Sequence, residues 1–425
     1  MMKDTRKIEP AGGVFRTGVQ IPGDKSLSHR ALVFASLAED DSEITGLAPG
    51  RDVAATAAAL GRLGVQRTGD RFSPVDRLMD PSGPIDCANS GTTIRLLSGS
   101  LAAAPFRITL TGDASLRSRP MARLVAPLGA LGLELDTQPD GTAPVTTGRA
   151  VLRGADVSIE VASAQVRSAF ELAAIQADGR STIDSPAGYR DHTERWLETF
   201  GLGASGDGTK MEIFPGRIPG ARYDVPGDPS SAAYLWASAA LVEGAHVVTP
   251  GISLNPGRLG FLTILERMGA KVHGEVTGSI HGDVIGTVAV TGHALQAVEV
   301  FGDTVAAAID ELPLVAVLAA YAEGITIVRE AAELRGKESD RITSTTEMIR
   351  ALGGGAEATE DGFAVIGTGF LDGGIINASG DHRIAMTAAV AATAADGPVT
   401  ILGASTANVS WPSFYETLEA VWSSR

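Results

Sequence analysis

The residues of this sequence that could do chemistry stand in short polar segments, each directly before an apolar, alanine-rich run. Such small polar residues are typical of helix starts, and a lysine or arginine often follows within one turn. A helix N-terminus carries unpaired N–H groups and partial positive charge, so it binds anions such as phosphate and carboxylate. Basic side chains strengthen that preference. The segments contain Asp24, Lys25, Ser26 and Arg30; Asn89, Ser90, Gly91, Thr92 and Arg95; Ser163, Gln165 and Arg167; Asp310 and Glu311; and Asp381, His382 and Arg383.

Four-residue spacing supports this interpretation, because residues four apart share one helix face. The pairs are Ser26 and Arg30, Gly91 and Arg95, Ser163 and Arg167, and Lys337 and Arg341. Capping alone would explain the serines and aspartates, but it requires no cation one turn later. Arg117, Arg119 and Arg190, each before a predicted amphipathic helix, could equally be surface charges. The charges of 337–341 could likewise form an ordinary exposed ion-pair pattern.

An internal repeat positions these segments. Ile21-Pro-Gly-Asp-Lys-Ser recurs as Val225-Pro-Gly-Asp-Pro-Ser, and the same plan returns from residues 83, 157, 298 and 373. Each of the six units begins with a β-rich segment and enters a run so apolar on all sides that its helix must be buried. A strand follows, and then an amphipathic helix that in most units ends at glycine. A repeat of this kind determines the architecture.

Six units predict an α/β protein of two similar domains, with three units in each and a cleft between them. The Pro-Gly-Asp sequences at 22–24 and 226–228 mark the joints. We therefore expect one domain over 23–225 and a discontinuous one over 1–22 plus 226–425. The first 22 residues would then pair with the C-terminal half.

Composition and motifs argue against several classes of function. The 35 basic and 50 acidic residues give a net charge of −15, which disfavours nucleic acid or an anionic membrane as the partner. The single cysteine, Cys87, permits no intrachain disulfide, and its apolar setting predicts a buried residue rather than a nucleophile. Gly201-Leu-Gly203-Ala-Ser-Gly206 follows a predicted helix, so we interpret it as a helix-ending turn and not as a dinucleotide site. Histidine spacing predicts no metal site, and no cofactor is expected.

The chain also lacks the usual targeting patterns. Met1–Pro10 is charged and has no apolar core, and the longest apolar runs, such as Leu312–Ala322, are too short to span a membrane. With one cysteine, these features favour a cytoplasmic protein. We expect a monomer that acts on small molecules.

With these residues assembled, the whole chain resembles the 5-enolpyruvylshikimate-3-phosphate synthase family. The motifs are GDKSLSHRAL, NSGTTIR, GDASLRSRPM, SAQVRSA, RDHTE, GDPSSAA, IDELP, RGKESDRI and GDHRIAM. They are similar to the second sequence class of the family, although Arg167 replaces the usual lysine of SAQxK. The resemblance implies the enolpyruvyl transferase fold, an inside-out α/β barrel with three βαβαββ repeats per domain and the active site in the cleft.

By resemblance, the expected reaction transfers the enolpyruvyl (carboxyvinyl) group of phosphoenolpyruvate to the 5-hydroxyl of shikimate 3-phosphate and releases phosphate. This addition and elimination belongs to the shikimate pathway of chorismate and aromatic amino acid biosynthesis. The residues implied for shikimate 3-phosphate are Lys25, Ser26, Arg30, Ser163, Ala164 through its backbone, Gln165, Arg190, Asp310 and Lys337. Those implied for phosphoenolpyruvate are Lys25, Asn89, Gly91, Arg119, Gln165, Arg341 and Arg383.

The resemblance implies that Asp310 is the base for the substrate hydroxyl and Glu338 the proton donor to the methylene carbon, with Lys25 and His382 also catalytic. A donor must be protonated, whereas Lys337 and Arg341 favour the ionised form of Glu338, so the assignment of acid and base stays open. Because residues of both halves contribute, the cleft is expected to close on substrate.

Several positions depart from the family pattern. Many relatives have a lysine shortly before the C-terminal proline, where this chain has Asn408-Val409-Ser410-Trp411-Pro412. Glu333 stands where some relatives have an asparagine that binds the shikimate phosphate, and Leu96 replaces the usual proline. Gly91 is typical of glyphosate-sensitive members, so sensitivity to that inhibitor stays open.

Two alternatives compete with this interpretation. UDP-N-acetylglucosamine enolpyruvyl transferase shares the fold and chemistry, but it normally carries a cysteine in a mobile loop that here reads GDASLRSRP. A non-catalytic anion-binding repeat protein would lack the acid–base residues, whereas Asp310, Glu338 and His382 are present.

Overall fold

The computed structural model of the chain describes residues 4–75, 77–160 and 162–424. Residues 1–3 of the predicted terminal segment and Val161 of the third repeat lie outside the described residues. The chain divides into two compact units. The first unit is Gly23–Val225 with Ser279–Asp283, and the second unit is Met1–Pro22, Pro226–Gly278 and Val284–Arg425. The segment Ser279–Asp283 was expected in the second domain, but its contacts place it with the first unit.

Most strands are short. They are β1 (Thr5–Ile8), β2 (Arg16–Gly18), β3 (Ser42–Thr45), β4 (Gln66–Thr68), β5 (Arg71–Ser73), β6 (Ile85–Asp86), β7 (Ile108–Thr111), β8 (Val145–Thr147), β9 (Asp156–Ser158), β10 (Ser181–Asp184), β11 (Gly203–Ser205), β12 (Met211–Ile213), β13 (Arg222–Asp224), β14 (His246–Ser253), β15 (Lys271–Ile280), β16 (Asp283–Thr291), β17 (Glu299–Val300), β18 (Ile325–Val328), β19 (Gly355–Ala358), β20 (Phe363–Ile366), β21 (Gly374–Asn377) and β22 (Val399–Leu402).

The helices alternate with these strands. They are α1 (Lys25–Ser36), α2 (Arg51–Arg62), α3 (Gly91–Ser100), α4 (Ala114–Arg117), α5 (Val125–Ala130), α6 (Ala164–Ala174), α7 (His192–Thr199), α8 (Pro229–Ala240), α9 (Gly260–Arg267), α10 (Asp303–Ala307), α11 (Leu312–Tyr321), α12 (Arg341–Ala351), α13 (His382–Ala391) and α14 (Phe414–Trp422). Short 3-10 helices cover Ala122–Leu124, Pro256–Arg258, Ala332–Gly336 and Ala404–Val409. In the described part of the chain, no helix is both long and apolar enough to cross a membrane.

The described strands form six sheets of three or four strands. Each sheet contains one parallel pair, extended by antiparallel strands. In four sheets the parallel partners are joined through a buried helix, as in β6–α3–β7, β9–α6–β10, β17–α11–β18 and β21–α13–β22. Each is a βαβ crossover, the connection that parallel strands require.

In the other two sheets, the parallel partners come from distant parts of the chain, and one strand of each pair lies at a joint between the units. Strand β2 precedes α1 and pairs with β14, whereas β13 precedes α8 and pairs with β3. Strand β1 likewise pairs with β22. This exchange explains why the N-terminal strands belong with the C-terminal part of the chain. The two similar Pro-Gly-Asp sequences stand at the two exchanged connections.

Six helices are buried as the sequence predicts: α1, α3, α6, α8, α11 and α13. Every residue of α8 and α13 is buried, which agrees with the apolar, alanine-rich composition of most of each helix. Helices α3 and α6 approach closely at Gly99, where a Cβ would collide with the Ala169 carbonyl. Glycine there permits close packing of the two helices.

Asp310 and Glu311 stand directly before the buried helix α11, as the sequence predicts, and the short helix α10 precedes them. One element prediction was wrong. Arg117 and Arg119 were expected to open an amphipathic helix. Instead Arg117 ends the short helix α4 and Arg119 follows it, because Pro120 disfavours the helical conformation in the residue before it.

Candidate active site

The start of α1 carries the first group of predicted site residues. The Asp24 side chain caps the helix by accepting from the Leu27 N–H at 2.8 Å. Lys25 is half-buried and donates to Asp52 Oδ2 at 3.1 Å, across to the first turn of α2. The half-buried Ser26 occupies the same turn of α1. The N-terminal end of the helix therefore presents backbone N–H groups beside an anchored cation.

Arg30 lies one turn further along and is buried. It donates to Thr193 Oγ1 and Ser168 Oγ, both at 2.8 Å, and to the Ser26 carbonyl at 3.1 Å. These contacts connect α1 to α6 and α7. His29, in the same motif, is also buried, and burial lowers its pKa to about 3. The neutral ring lies 2.7 Å from Thr56 Oγ1 and links α1 to α2.

The start of α3 brings together a second group. Arg119 donates to Asn89 Oδ1 at 2.6 Å, and the Asn89 amide donates to Asp113 Oδ2 at 2.8 Å. A Cβ on Gly91 would lie 2.8 Å from Nη1 of Arg95 and 3.3 Å from Nη1 of Arg119. Two guanidinium groups therefore converge on the first residue of α3, an arrangement suited to an anion.

The start of α6 adjoins that group. Ser163 caps the helix and Ala164 begins it. The Gln165 side chain reaches α3, where Arg95 donates to its Oε1 at 2.6 Å and Thr92 Oγ1 accepts from its Nε2 at 2.9 Å. Helix α6 also packs against α3 along its length. The predicted residues Gly91, Arg119 and Gln165 thus belong to one cluster.

Arg167 does not face this cluster, contrary to its expected grouping with Ser163. It is fully buried and donates to Glu194 Oε1 at 2.7 Å and to Ser185 Oγ at 3.0 Å. Its guanidinium also stacks 4.1 Å from the centre of the Tyr189 ring. The second turn of α6 points into the interior, so a cation there must be paired with an internal carboxylate.

The RDHTE motif has a mixed role. Arg190 is half-buried in the loop before α7. His192 Nδ1 lies 2.9 Å from Asp283 Oδ1, and both side chains are buried. Thr193 accepts from Arg30, and Glu194 accepts from Arg167. The last three residues of this motif, His192, Thr193 and Glu194, therefore hold α7 against its neighbours.

In the second unit, Arg341 connects three carboxylates. It is buried and donates to Asp310 Oδ1 at 3.1 Å, to Glu338 Oε2 at 2.6 Å and to Asp381 Oδ2 at 2.8 Å. Although burial opposes it, Arg341 holds the pKa of Asp381 below its usual value. The three carboxylates in turn raise the pKa of Arg341 against the effect of burial. The predicted base and proton donor thus share one guanidinium.

Arg383 and His382 stand at the start of α13. Arg383 donates to Glu311 Oε1 at 3.3 Å, and its Nη2 lies 3.8 Å from Asp310 Oδ2. His382 is buried, with Nδ1 3.9 Å from Asp381 Oδ1. Asp310 therefore lies between two arginines, which favour its ionised form.

Lys337 and Arg341 do not share a helix face, so that expectation was wrong. Asp340 caps α12, which begins at Arg341, and Lys337 has an extended conformation after the 3-10 turn. Lys337 is half-buried and donates to Glu333 Oε1 at 3.3 Å. Glu333 was not assigned to a substrate by the family resemblance. It is nevertheless paired with Lys337, which the resemblance assigned to shikimate 3-phosphate.

Comparison with known proteins identifies the family. The EPSP synthase (3-phosphoshikimate 1-carboxyvinyltransferase) family matches residues 11–418. A 3-phosphoshikimate 1-carboxyvinyltransferase of Herpetosiphon aurantiacus is 41% identical over 412 residues, which cover 94% of this chain and 96% of the relative. The chain belongs to the EPSP synthase family.

Two further EPSP synthase relatives agree. A 3-phosphoshikimate 1-carboxyvinyltransferase of Chloroflexus aurantiacus is 42% identical over 419 residues, or 95% of this chain and 96% of the relative. The structure of an EPSP synthase from Acinetobacter baumannii matches with a TM-score of 0.87 and 37% identity, covering 99% of this chain and 98% of that one. The predicted family and α/β fold are confirmed.

Sequence reasoning missed three polar partners of the candidate residues. Asp52 accepts from Lys25, Asp113 accepts from Asn89, and Ser339 donates to Asp381 at 3.0 Å. Asp52 stands in the first turn of α2, where an acidic residue is normally attributed to the helix dipole. The contact of Asp52 with Lys25 was therefore not predicted from the sequence.

The structure also resolves the setting of Cys87. The thiol is buried, and burial raises its pKa to about 12. A neutral buried thiol is a poor nucleophile, so the prediction of a small core residue is confirmed.

Proposed function

We propose that this protein is a 3-phosphoshikimate 1-carboxyvinyltransferase, which transfers the enolpyruvyl group of phosphoenolpyruvate to the 5-hydroxyl of shikimate 3-phosphate and releases phosphate. Family membership supports the activity. The observation that carries the proposal is the joint pairing of Arg341 with Asp310 and Glu338, the two carboxylates of the acid–base pair.

We propose that the candidate residues of both units act on the same two substrates, and that the units are the two functional domains. Both substrates are anions, and helix starts with basic side chains favour anions. Shikimate 3-phosphate is assigned to Lys25, Ser26, Arg30, Ser163, Ala164, Gln165, Arg190, Asp310 and Lys337. Phosphoenolpyruvate is assigned to Lys25, Asn89, Gly91, Arg119, Gln165, Arg341 and Arg383.

The reaction would proceed by addition and elimination. A proton is added to C3 of phosphoenolpyruvate, and the substrate hydroxyl attacks C2 as it loses its proton to a base. The tetrahedral intermediate then loses a C3 proton and breaks the bond between C2 and the phosphate oxygen, which restores the double bond. No net oxidation occurs.

Asp310 is proposed as the base that takes the hydroxyl proton. Arg341 Nη1 and Arg383 Nη2 lie near its two oxygens, and both cations favour the carboxylate form that a base requires. Glu338 is proposed as the group that exchanges the proton at C3. Lys25 and His382 complete the proposed catalytic set, with Lys25 held by Asp52 and His382 beside Asp381.

Phosphate release tests the acceptor. The protein is incubated with phosphoenolpyruvate and either shikimate 3-phosphate or UDP-N-acetylglucosamine, and inorganic phosphate is measured. We expect release with shikimate 3-phosphate only, and Asp310→Ala should abolish turnover more than it weakens binding. Turnover with UDP-N-acetylglucosamine alone would establish the other transferase, and turnover with neither would support a non-catalytic protein.

We also propose that the protein works in the cytoplasm as a monomer, without nucleic acid or membrane partners. Light scattering at assay concentration, with and without substrates, tests the monomer. A stable dimer would contradict it.

A further inference from the structure

We propose that Arg95 is a positioning residue that fixes the polarity of the Gln165 amide, so that Gln165 offers N–H groups and not its oxygen to the anionic substrates. The inference rests on the proposed function, in which Gln165 binds both substrates. The family resemblance assigned Arg95 to neither of them.

The contacts of Gln165 determine which end of its amide faces which way. Arg95 Nη1 lies 2.6 Å from Oε1 of Gln165. A guanidinium has only donors, so the group beside it must be the amide oxygen. The amide nitrogen then faces Thr92, whose Oγ1 lies 2.9 Å away. Reversing the amide would place its N–H groups against those of Arg95.

This polarity matters because both substrates are anions. The amide nitrogen carries two N–H groups, of which Thr92 accepts one, and the other can donate to a phosphate or carboxylate oxygen. A reversed amide would present its oxygen to the anion, and an acceptor placed beside an acceptor at this half-buried position is costly. The glutamine amide can donate or accept hydrogen bonds, and Arg95 thereby makes it a donor towards the substrates.

Arg95 is itself held by the elements that carry the phosphoenolpyruvate residues. It lies one turn after Gly91 on α3, and its Nη1 is 3.4 Å from the Gly91 carbonyl. Its Nη2 donates to the carbonyl of Pro120 at 3.2 Å, in the residue after Arg119. One guanidinium thus connects the start of α3, the start of α6 and the turn that carries Arg119.

Substitutions at position 165 test the polarity directly. Gln165→Glu keeps the size and the contact with Arg95 but replaces the donor by a carboxylate oxygen, whereas Gln165→Leu only removes the amide. We expect the KM values of both substrates to rise at least fivefold more in Gln165→Glu than in Gln165→Leu. A purely structural role for the pair predicts the reverse, because Gln165→Glu preserves the contact.

Substitutions at position 95 test whether Arg95 acts on substrate binding through Gln165. Arg95→Gln should raise the KM values about tenfold, since glutamine can accept as well as donate and enforces no polarity. Arg95→Lys, which retains a donor, should recover part of that loss. In a Gln165→Leu background, Arg95→Gln should change KM less than twofold. The matched control is Arg62→Gln in the same unit, because Arg62 donates to the carbonyls of Pro84 and Pro81 and should leave the KM values unchanged.

Two results would overturn the inference while leaving the proposed function in place: Gln165→Glu binding no worse than Gln165→Leu, or Arg95→Gln retaining its full effect without Gln165. Thermal unfolding of each variant identifies any loss caused by misfolding. If the wild-type protein fails to release phosphate from phosphoenolpyruvate with shikimate 3-phosphate, the proposed function is overturned, and this inference with it.

Discussion

Four of the candidate cations have an acceptor within their own unit. Lys25 donates to Asp52, Arg119 to Asn89, Lys337 to Glu333 and Arg383 to Glu311. Such contacts hold the cations in place before any anion arrives, which reduces the reorganisation that binding requires. They also reduce the positive charge that a substrate meets. The balance between these effects can be tested one residue at a time.

Glu333 provides the clearest test at this scale. Its carboxylate is exposed and pairs with Lys337, which is proposed to bind shikimate 3-phosphate. Glu333→Asn, the residue of some relatives, removes the negative charge, so the KM for shikimate 3-phosphate should fall about two- to fivefold, as expected for an exposed pair. The KM for phosphoenolpyruvate should stay constant. Steady-state kinetics measure both values, and an unchanged or higher KM for shikimate 3-phosphate would refute the prediction.

Glu171 gives a prediction about pH. Burial and the neighbouring Glu194 raise the pKa of Glu171 well above its usual value, against the opposing effect of Arg167. The folded state therefore retains a proton that the unfolded chain loses, and stability falls as pH rises from about the usual carboxyl value through the raised pKa. Glu171→Gln is neutral throughout and should avoid this loss.

The measurement for Glu171→Gln is thermal unfolding between pH 4.5 and 9. The variant should unfold at a higher temperature than the wild type at pH 8, and the difference should shrink towards pH 4.5. Glu212→Gln is the matched control, because Glu212 pairs with Arg180 on the exposed side of a sheet. A difference that grows on acidification would mean that the pKa of Glu171 is not raised in the folded protein.

At the residue scale, the sequence predicts which residue types gather at helix starts but not where every side chain points. Ser163 and Gln165 lie at the start of α6 as predicted, whereas Arg167, one turn on, is buried against Glu194. Spacing along one helix cannot reveal a carboxylate on another. The tertiary contact decided the orientation.

At the element scale, the buried helices were predictable because their apolar residues cover every face. The strand exchange was less visible: the repeat located the joints, but periodicity does not specify that β2 pairs with β14 and β13 with β3. Pairing depends on contacts between distant parts of the chain.

The hairpin between β15 and β16 carries a prediction at this scale. Asp283 accepts from Trp196 Nε1 at 3.0 Å and lies 2.9 Å from His192 Nδ1, and all three side chains are buried. Asp283→Ala would deprive the other two of this acceptor and should lower the free energy of unfolding by about 2–4 kcal/mol. Urea denaturation measures the loss. Asp207→Ala, in an exposed turn of the same unit, should change stability by less than about 0.5 kcal/mol.

At the scale of the whole molecule, net charge proved a poor guide to the ligand. The chain carries a net charge of −15, yet it belongs to a family whose named substrate is a phosphate ester. The local distribution of charge explains this difference. The basic residues of the motifs lie at a few helix starts, while the acidic excess is spread over the chain. Local arrangement, and not the total, governs recognition.

The central claim is the identity of the reaction, and the product tests it most directly. The protein is mixed with phosphoenolpyruvate and shikimate 3-phosphate, and ³¹P NMR with mass spectrometry follows every phosphorus-containing species. We predict one equivalent of inorganic phosphate for each equivalent of shikimate 3-phosphate that gains a carboxyvinyl group at its 5-oxygen, and none when Asp310→Ala replaces the wild type. Phosphate release without shikimate 3-phosphate, or no new carboxyvinyl ether, would contradict the account.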